Sequence, residues 1–170
     1  MQTATAKIYS LKYNQAKTYL VAALFVCGNI LLPQLCHLVP QGGLKFLPIY
    51  FFTLIGAYKY GWRVGLLTAI LSPLVNSALF GMPPAAALPS ILFKSVFLAA
   101  IAGFTAAHFR KASLILLAAV VIAYQFAGSL LEWAMGDSLY QAFQDFRIGI
   151  PGMLLQIFGG WLFINRIIKS

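Results

Sequence analysis

The stretch that decides the fold is residues 41–104, QGGLKFLPIYFFTLIGAYKYGWRVGLLTAILSPLVNSALFGMPPAAALPSILFKSVFLAAIAGF. It holds three apolar segments, a charged turn at 58–63 and a Gly-Met-Pro-Pro turn at 81–84. Apolar runs of this length suit a bilayer core, which takes roughly 20 helical residues to cross. One lysine, Lys94, stands inside the third segment. A charge there is costly, so it needs an ionic partner, an aqueous cavity or a ligand.

The rest of the chain extends the same pattern. Of its 170 residues 61% are hydrophobic and 9% charged, against about 25% charged in a soluble domain. So little charge cannot coat a globule in water. The segments are continuously apolar rather than alternating, which argues for helices and against a β-barrel. The fold class expected is therefore an all-α membrane protein.

Six spans are read at residues 18–32, 44–57, 64–80, 87–107, 112–135 and 148–168, as one domain over 18–168 behind a polar segment at 1–17. Pro33 ends the first span, and Pro73 is expected to kink or break the third. The net charge of +9 could suggest nucleic acid, but the positive residues lie at segment ends, so no nucleic-acid partner is expected. Lys7, Lys12, Lys17, Lys59, Arg63, Arg110, Lys111, Arg166 and Lys169 fall on one face under this layout. Lys45 and Arg147 fall on the other with Asp137 and Asp145. The positive-inside rule then makes both termini cytoplasmic. No cleavable signal peptide is expected, since the first apolar run starts late and is long.

Depth follows from topology. Ser72 and Asn76, Ser90 and Lys94, then Gln125, Ser129 and Glu132 lie one turn apart on shared helix faces. With Gln156 they bring polar groups from four helices to the outer half of the membrane, while the inner halves hold little beyond Thr68 and Thr105. Tyr124, Phe126, Trp133, Tyr140 and Phe143 can add ring surfaces. The expectation is an outward-opening pocket lined by Lys94, Asn76, Gln125, Ser129, Glu132, Gln156, Ser90 and Trp133.

Blander roles stand beside this one. The serines suit helix packing, and the amides suit bonds between helices. Glu132 can be solvated at the interface, and Lys94 can snorkel outward or pair with Glu132. If Lys94 meets a ligand, a carboxylate, phosphate or electron-rich carbonyl is favoured. Adjacent Cys36 and His37 are too few for a metal site, and no cofactor is expected. Ala23 and Cys27 give the first span a small-residue face that lets another helix approach. No Gly-x-Ser-x-Gly, His-Glu-x-x-His or P-loop pattern is present, so the chain is not expected to be an enzyme.

Over nearly its whole length the chain resembles the substrate-binding S components of energy-coupling factor (ECF) type vitamin transporters, most of all unassigned Bacteroides-type members. The stretches PQGGLKFLPIYFFTLIGAYKYGWRVGLLTAILSP, LFGMPPAAALP and FRIGIPGMLLQIFGG carry the likeness. The resemblance implies a multi-pass protein of a bacterial inner membrane. It implies capture of a small water-soluble vitamin or precursor from outside, in a pocket built from helices 4 to 6 and loops 33–43, 81–86 and 136–147. Delivery inward would require a transmembrane coupling subunit and two ATPase subunits. The family's Ala-xxx-Ala docking patch is replaced here by Ala23-xxx-Cys27. A stand-alone facilitator or channel acting as an oligomer is the alternative.

Overall fold

The structure, a computed structural model, describes residues 7–168. Among the described residues every regular element is helical. Five helices are long and apolar enough to cross a membrane. They are α1 (Ala16–Cys36), α4 (Trp62–Phe80), α5 (Leu88–Phe109), α6 (Leu114–Ala134) and α9 (Ile150–Ile167). The 21 residues of α1 rise about 31 Å, which matches the roughly 30 Å hydrocarbon core. Between them lie the short α2 (Gly42–Phe46), α3 (Phe51–Tyr60), α7 (Leu139–Ala142) and α8 (Gln144–Ile148). Many large apolar side chains face outward, among them Leu20, Leu24, Phe104 and Ile115. A helix set apolar on its outer surface as well as its inner one is suited to lipid.

The ten residues of α3 are the bundle's buried centre; Leu54, Ile55, Ala57 and Tyr58 are fully covered. Small residues let α4 close on α3 and α5 close on α4. A Cβ on Gly65 would stand 2.3 Å from the Cβ of Ala57, and one on Gly103 of α5 would stand 2.5 Å from that of Trp62. Such spacing gives membrane helices close backbone approach, where burial of apolar surface supplies little drive.

The expected span over 44–57 is not one continuous helix. Leu47 takes a left-handed conformation (φ 46°), and a 3-10 turn at Pro48–Tyr50 leads into α3. The α2 end of this break is pressed against the start of α9: a Cβ on Gly152 would sit 2.4 Å from the Phe46 carbonyl carbon. The helix α1 runs through Pro33 to Cys36 instead of stopping there, since a proline in the last turn costs one helical bond. Pro73 lies inside an uninterrupted α4. α9 begins at Ile150 and carries two wide π turns, Leu155–Gly159 and Phe163–Ile167. The polar stretch 136–147 holds α7 and α8, with α7 started by a capping box between Ser138 and Gln141.

The lysine-rich segments meet at one end of the bundle. The Tyr9 N–H donates to the Lys59 carbonyl at 2.8 Å and the Leu11 N–H to the Tyr60 carbonyl at 3.0 Å. The Tyr58 hydroxyl reaches the Lys111 carbonyl at 2.8 Å. Asn165 Nδ2 donates to the Ala112 carbonyl at 3.3 Å. Residues 1–6 and Lys169 lie outside the described residues.

Candidate functional site

At the other end, α5 and α6 lie side by side, and glycine decides what fits between them. A Cβ on Gly128 would stand 2.5 Å from Lys94 Cγ and 2.7 Å from Cε. The absent side chain is the slot through which the Lys94 stem crosses α6. Lys94 is 3% exposed, and its ammonium is held by two carboxylates, Glu132 Oε1 at 2.8 Å and Asp145 Oδ2 at 2.8 Å. The Ser90 hydroxyl, one turn before Lys94, donates to the same Glu132 oxygen. These charge-assisted bonds offset the cost of placing a cation here.

The triad forms one wall of a cleft of about 520 Å³. Gly43, Leu44, Leu47 and Tyr50 supply a second wall, and Ala86 and Ala87 a third. Met135, Asp137, Gln141 and Gln144 close the remaining side. The whole chain contains three Asp and Glu, and all three, Glu132, Asp137 and Asp145, line this cleft. One ammonium against three carboxylates leaves a local excess of two negative charges in a chain of net charge +9. Lys45 and Arg147 do not line the cleft. The Lys45 ammonium donates to the Pro40 carbonyl at 3.2 Å. Arg147 lies over the Tyr140 ring at 3.5 Å and donates to the Tyr140 carbonyl at 3.0 Å.

Tyr50 is the buried aromatic of the lining. Its ring stands 5.4 Å from that of Tyr124, whose hydroxyl donates to Gln156 Oε1 at 2.8 Å. Around this core are fully buried polar atoms with no hydrogen-bond partner: Gln125 Oε1 and Nε2, Ser129 Oγ, Gln156 Nε2 and Ser95 Oγ. Each has bonding capacity that water would otherwise fill, and leaving it unused costs about 1–3 kcal/mol.

The residues expected to line one pocket divide four ways. Lys94, Ser90 and Glu132 meet in the cleft. Gln125, Ser129 and Gln156 are buried, and none of them is part of the cleft lining. Asn76 belongs elsewhere, donating to the Asn29 carbonyl at 2.9 Å in a tie between α1 and α4. Trp133 is half exposed, and it too is outside the lining. Ala23 and Cys27 both face outward on α1. Sequence reasoning missed Asp145, Tyr50 and Asp137. A signal for the acids was available, since a buried lysine in a chain with three carboxylates has few possible partners.

A lysine clamped between two carboxylates is a charged fixture and not a free nucleophile. Among the described residues no group of three or more His, Cys, Asp or Glu is placed to hold a metal ion. Comparison of the chain with protein-family models, curated proteins and solved structures returns no match.

Proposed function

We propose that the chain is a multi-pass membrane subunit that captures a small water-soluble solute in the Lys94 cleft, as an S component of an ECF-type importer does. The observation that carries this reading is the cleft itself. It is drawn from residues 43–50, 86–94 and 132–145, and it opens at the end of the bundle away from the lysine-rich segments. With those segments cytoplasmic, the cleft faces outward. α3 with its preceding 3-10 turn then acts as a sixth, shortened span, returning the chain to the cytoplasmic end. A cell (inner) membrane of a bacterium is the setting this reading implies. Beneath the cleft the packed Tyr50–Tyr124–Gln156 column supports capture over free passage.

The charge census changes the expected ligand. An anionic ligand suits a lone lysine, but this lysine is already over-neutralised by Glu132 and Asp145. The cleft suits a solute carrying an amine or a planar heteroaromatic cation, one face on Tyr50. Release inward is assigned to a coupling subunit and two ATPase subunits, with the outward Ala23 and Cys27 face of α1 as the docking edge.

The test is native mass spectrometry of the purified protein, followed by binding measurements on whatever small molecule stays bound. A retained cationic vitamin or precursor is expected, and Asp145→Asn is expected to weaken it about tenfold, or 1.4 kcal/mol. An anionic ligand, or one indifferent to Asp145→Asn, overturns the cation assignment. Transport by the reconstituted chain alone, down a gradient and without ATPase partners, overturns the importer reading in favour of a facilitator.

A further inference from the structure

A second cavity, distinct from the cleft, points to a different kind of ligand. A groove of about 700 Å³ runs along the outer surface where α1, α3 and α9 meet. Its walls are almost wholly apolar. Leu24, Leu31 and Ile167 stand out as rims, while Phe25, Phe52 and Phe163 form the floor. Gly28 keeps that floor open, since a Cβ there would strike the Phe52 ring at 2.7 Å. From Lys17 to Leu31 the groove follows about 21 Å of helix, more than one leaflet's share of a roughly 30 Å hydrocarbon core.

The two ends of the groove differ. At the lysine-rich end its lining includes Tyr9 and Lys17. Three ammonium groups gather over the Tyr9 ring, Lys7 at 5.4 Å, Lys17 at 5.5 Å and Lys59 at 5.8 Å from its centroid. Every acidic side chain of the protein lies at the opposite end, lining the cleft. Among the described residues no carboxylate side chain pairs with these three lysines, and Lys59 is fully buried. Concentrated cations with no acidic side chain beside them among the described residues attract an anionic headgroup.

We propose that this groove is a binding site for an anionic phospholipid. The lipid's phosphate sits at Lys17 beside the Tyr9 ring, within the field of Lys7 and the buried Lys59, and one acyl chain lies along the phenylalanine floor towards Leu31. The lysine cluster selects the headgroup and the apolar trough holds the tail. The site is independent of the solute cleft, but it shares Cys27 with the docking edge proposed above, so the lipid is assigned to the undocked subunit.

The test uses the full-length protein in non-ionic detergent, titrated with phosphatidylglycerol or phosphatidylcholine of the same acyl chains and read by native mass spectrometry. Phosphatidylglycerol is expected to remain bound at about tenfold lower concentration than phosphatidylcholine. Lys7→Gln with Lys17→Gln, both at exposed positions, is expected to bring phosphatidylglycerol down to the phosphatidylcholine level and leave phosphatidylcholine unchanged. Cys27→Trp, which fills the groove without touching charge, is expected to weaken both lipids. Equal binding of the two lipids to the unaltered protein overturns the proposal, as does a charge variant with unchanged selectivity. Inorganic phosphate displacing the lipid at equal concentration overturns the tail's part in it. A protein-sized adduct in place of a lipid-sized one assigns the groove to a partner helix and overturns it too.

Discussion

Two buried polar clusters divide the bundle, and they are built on opposite terms. The first joins α1, α3 and α4 around Asn29. Its Nδ2 donates to Thr53 Oγ1 at 3.1 Å and Ser72 Oγ at 3.2 Å, and its Oδ1 accepts from the Phe52 N–H at 3.1 Å. Even its backbone is used. Pro33, four residues on, has no N–H to offer the Asn29 carbonyl, so Asn76 Nδ2 takes it instead. Asn76 Oδ1 is the one side-chain atom of these four residues left unpartnered. The second cluster joins α5, α6 and α9 around Gln125, and five of its atoms have no partner. Polar residues inside apolar helices are therefore not one category. A closed network is a fastener; an open one beside a cleft has bonding capacity left over.

That contrast can be broken deliberately, and the largest effect is expected at the seam between cluster and cleft. Lys94→Met leaves Glu132 and Asp145 mostly buried and without their cation. Loss of one partner from a buried ion pair costs about 3–5 kcal/mol, so thermal unfolding in detergent should fall by many degrees. A variant as stable as the parent would mean that the carboxylates are in free contact with water. Next comes the fastener. Asn29→Ala strands Thr53, Ser72 and the Phe52 N–H at once, which predicts about 1–3 kcal/mol of lost stability in a denaturant titration. Solute affinity should change little, because Asn29 is not part of the cleft lining. The smallest effect is reserved for the open cluster. Gln125→Leu removes two unpartnered atoms, so stability should hold or rise by about 1 kcal/mol. A drop as large as that of Asn29→Ala would show that Gln125 is a fastener after all, and the distinction between the clusters would fail.

How much of this was legible beforehand depended on whether the signal was local. Long apolar runs and charged turns are local, so the five long helices could be read from α1, α4, α5, α6 and α9. The break at Leu47 was not, because a leucine at positive φ is imposed by packing of Phe46 and Leu47 against Gly149 and Gly152, more than a hundred residues away. At the cleft, Ser90 and Lys94 share helical spacing on α5, as Glu132 does with Ser129 on α6, and the expected pocket includes all three. Asp145 stands on a five-residue helix after a polar turn, where no periodicity aims it at Lys94. Asn29 is a single amide in an apolar span with no periodic polar partner on its helix, and only its position four residues before Pro33 exposes a carbonyl that another helix can use.

The strand-like contact of Tyr9 and Leu11 with Lys59 and Tyr60 has a consequence for how the chain assembles during synthesis. The donors lie before the first long helix and the acceptors at the close of the short central one. Translation must therefore deliver about fifty further residues before this latch can engage. Until then α3, with ten residues, has only about half the roughly 20 residues a bilayer-crossing helix takes and lacks this tie at its end. Once engaged, the leading segment grips the far end of that helix from its own side. A segment made before the first of the five long helices thus secures the least self-sufficient element.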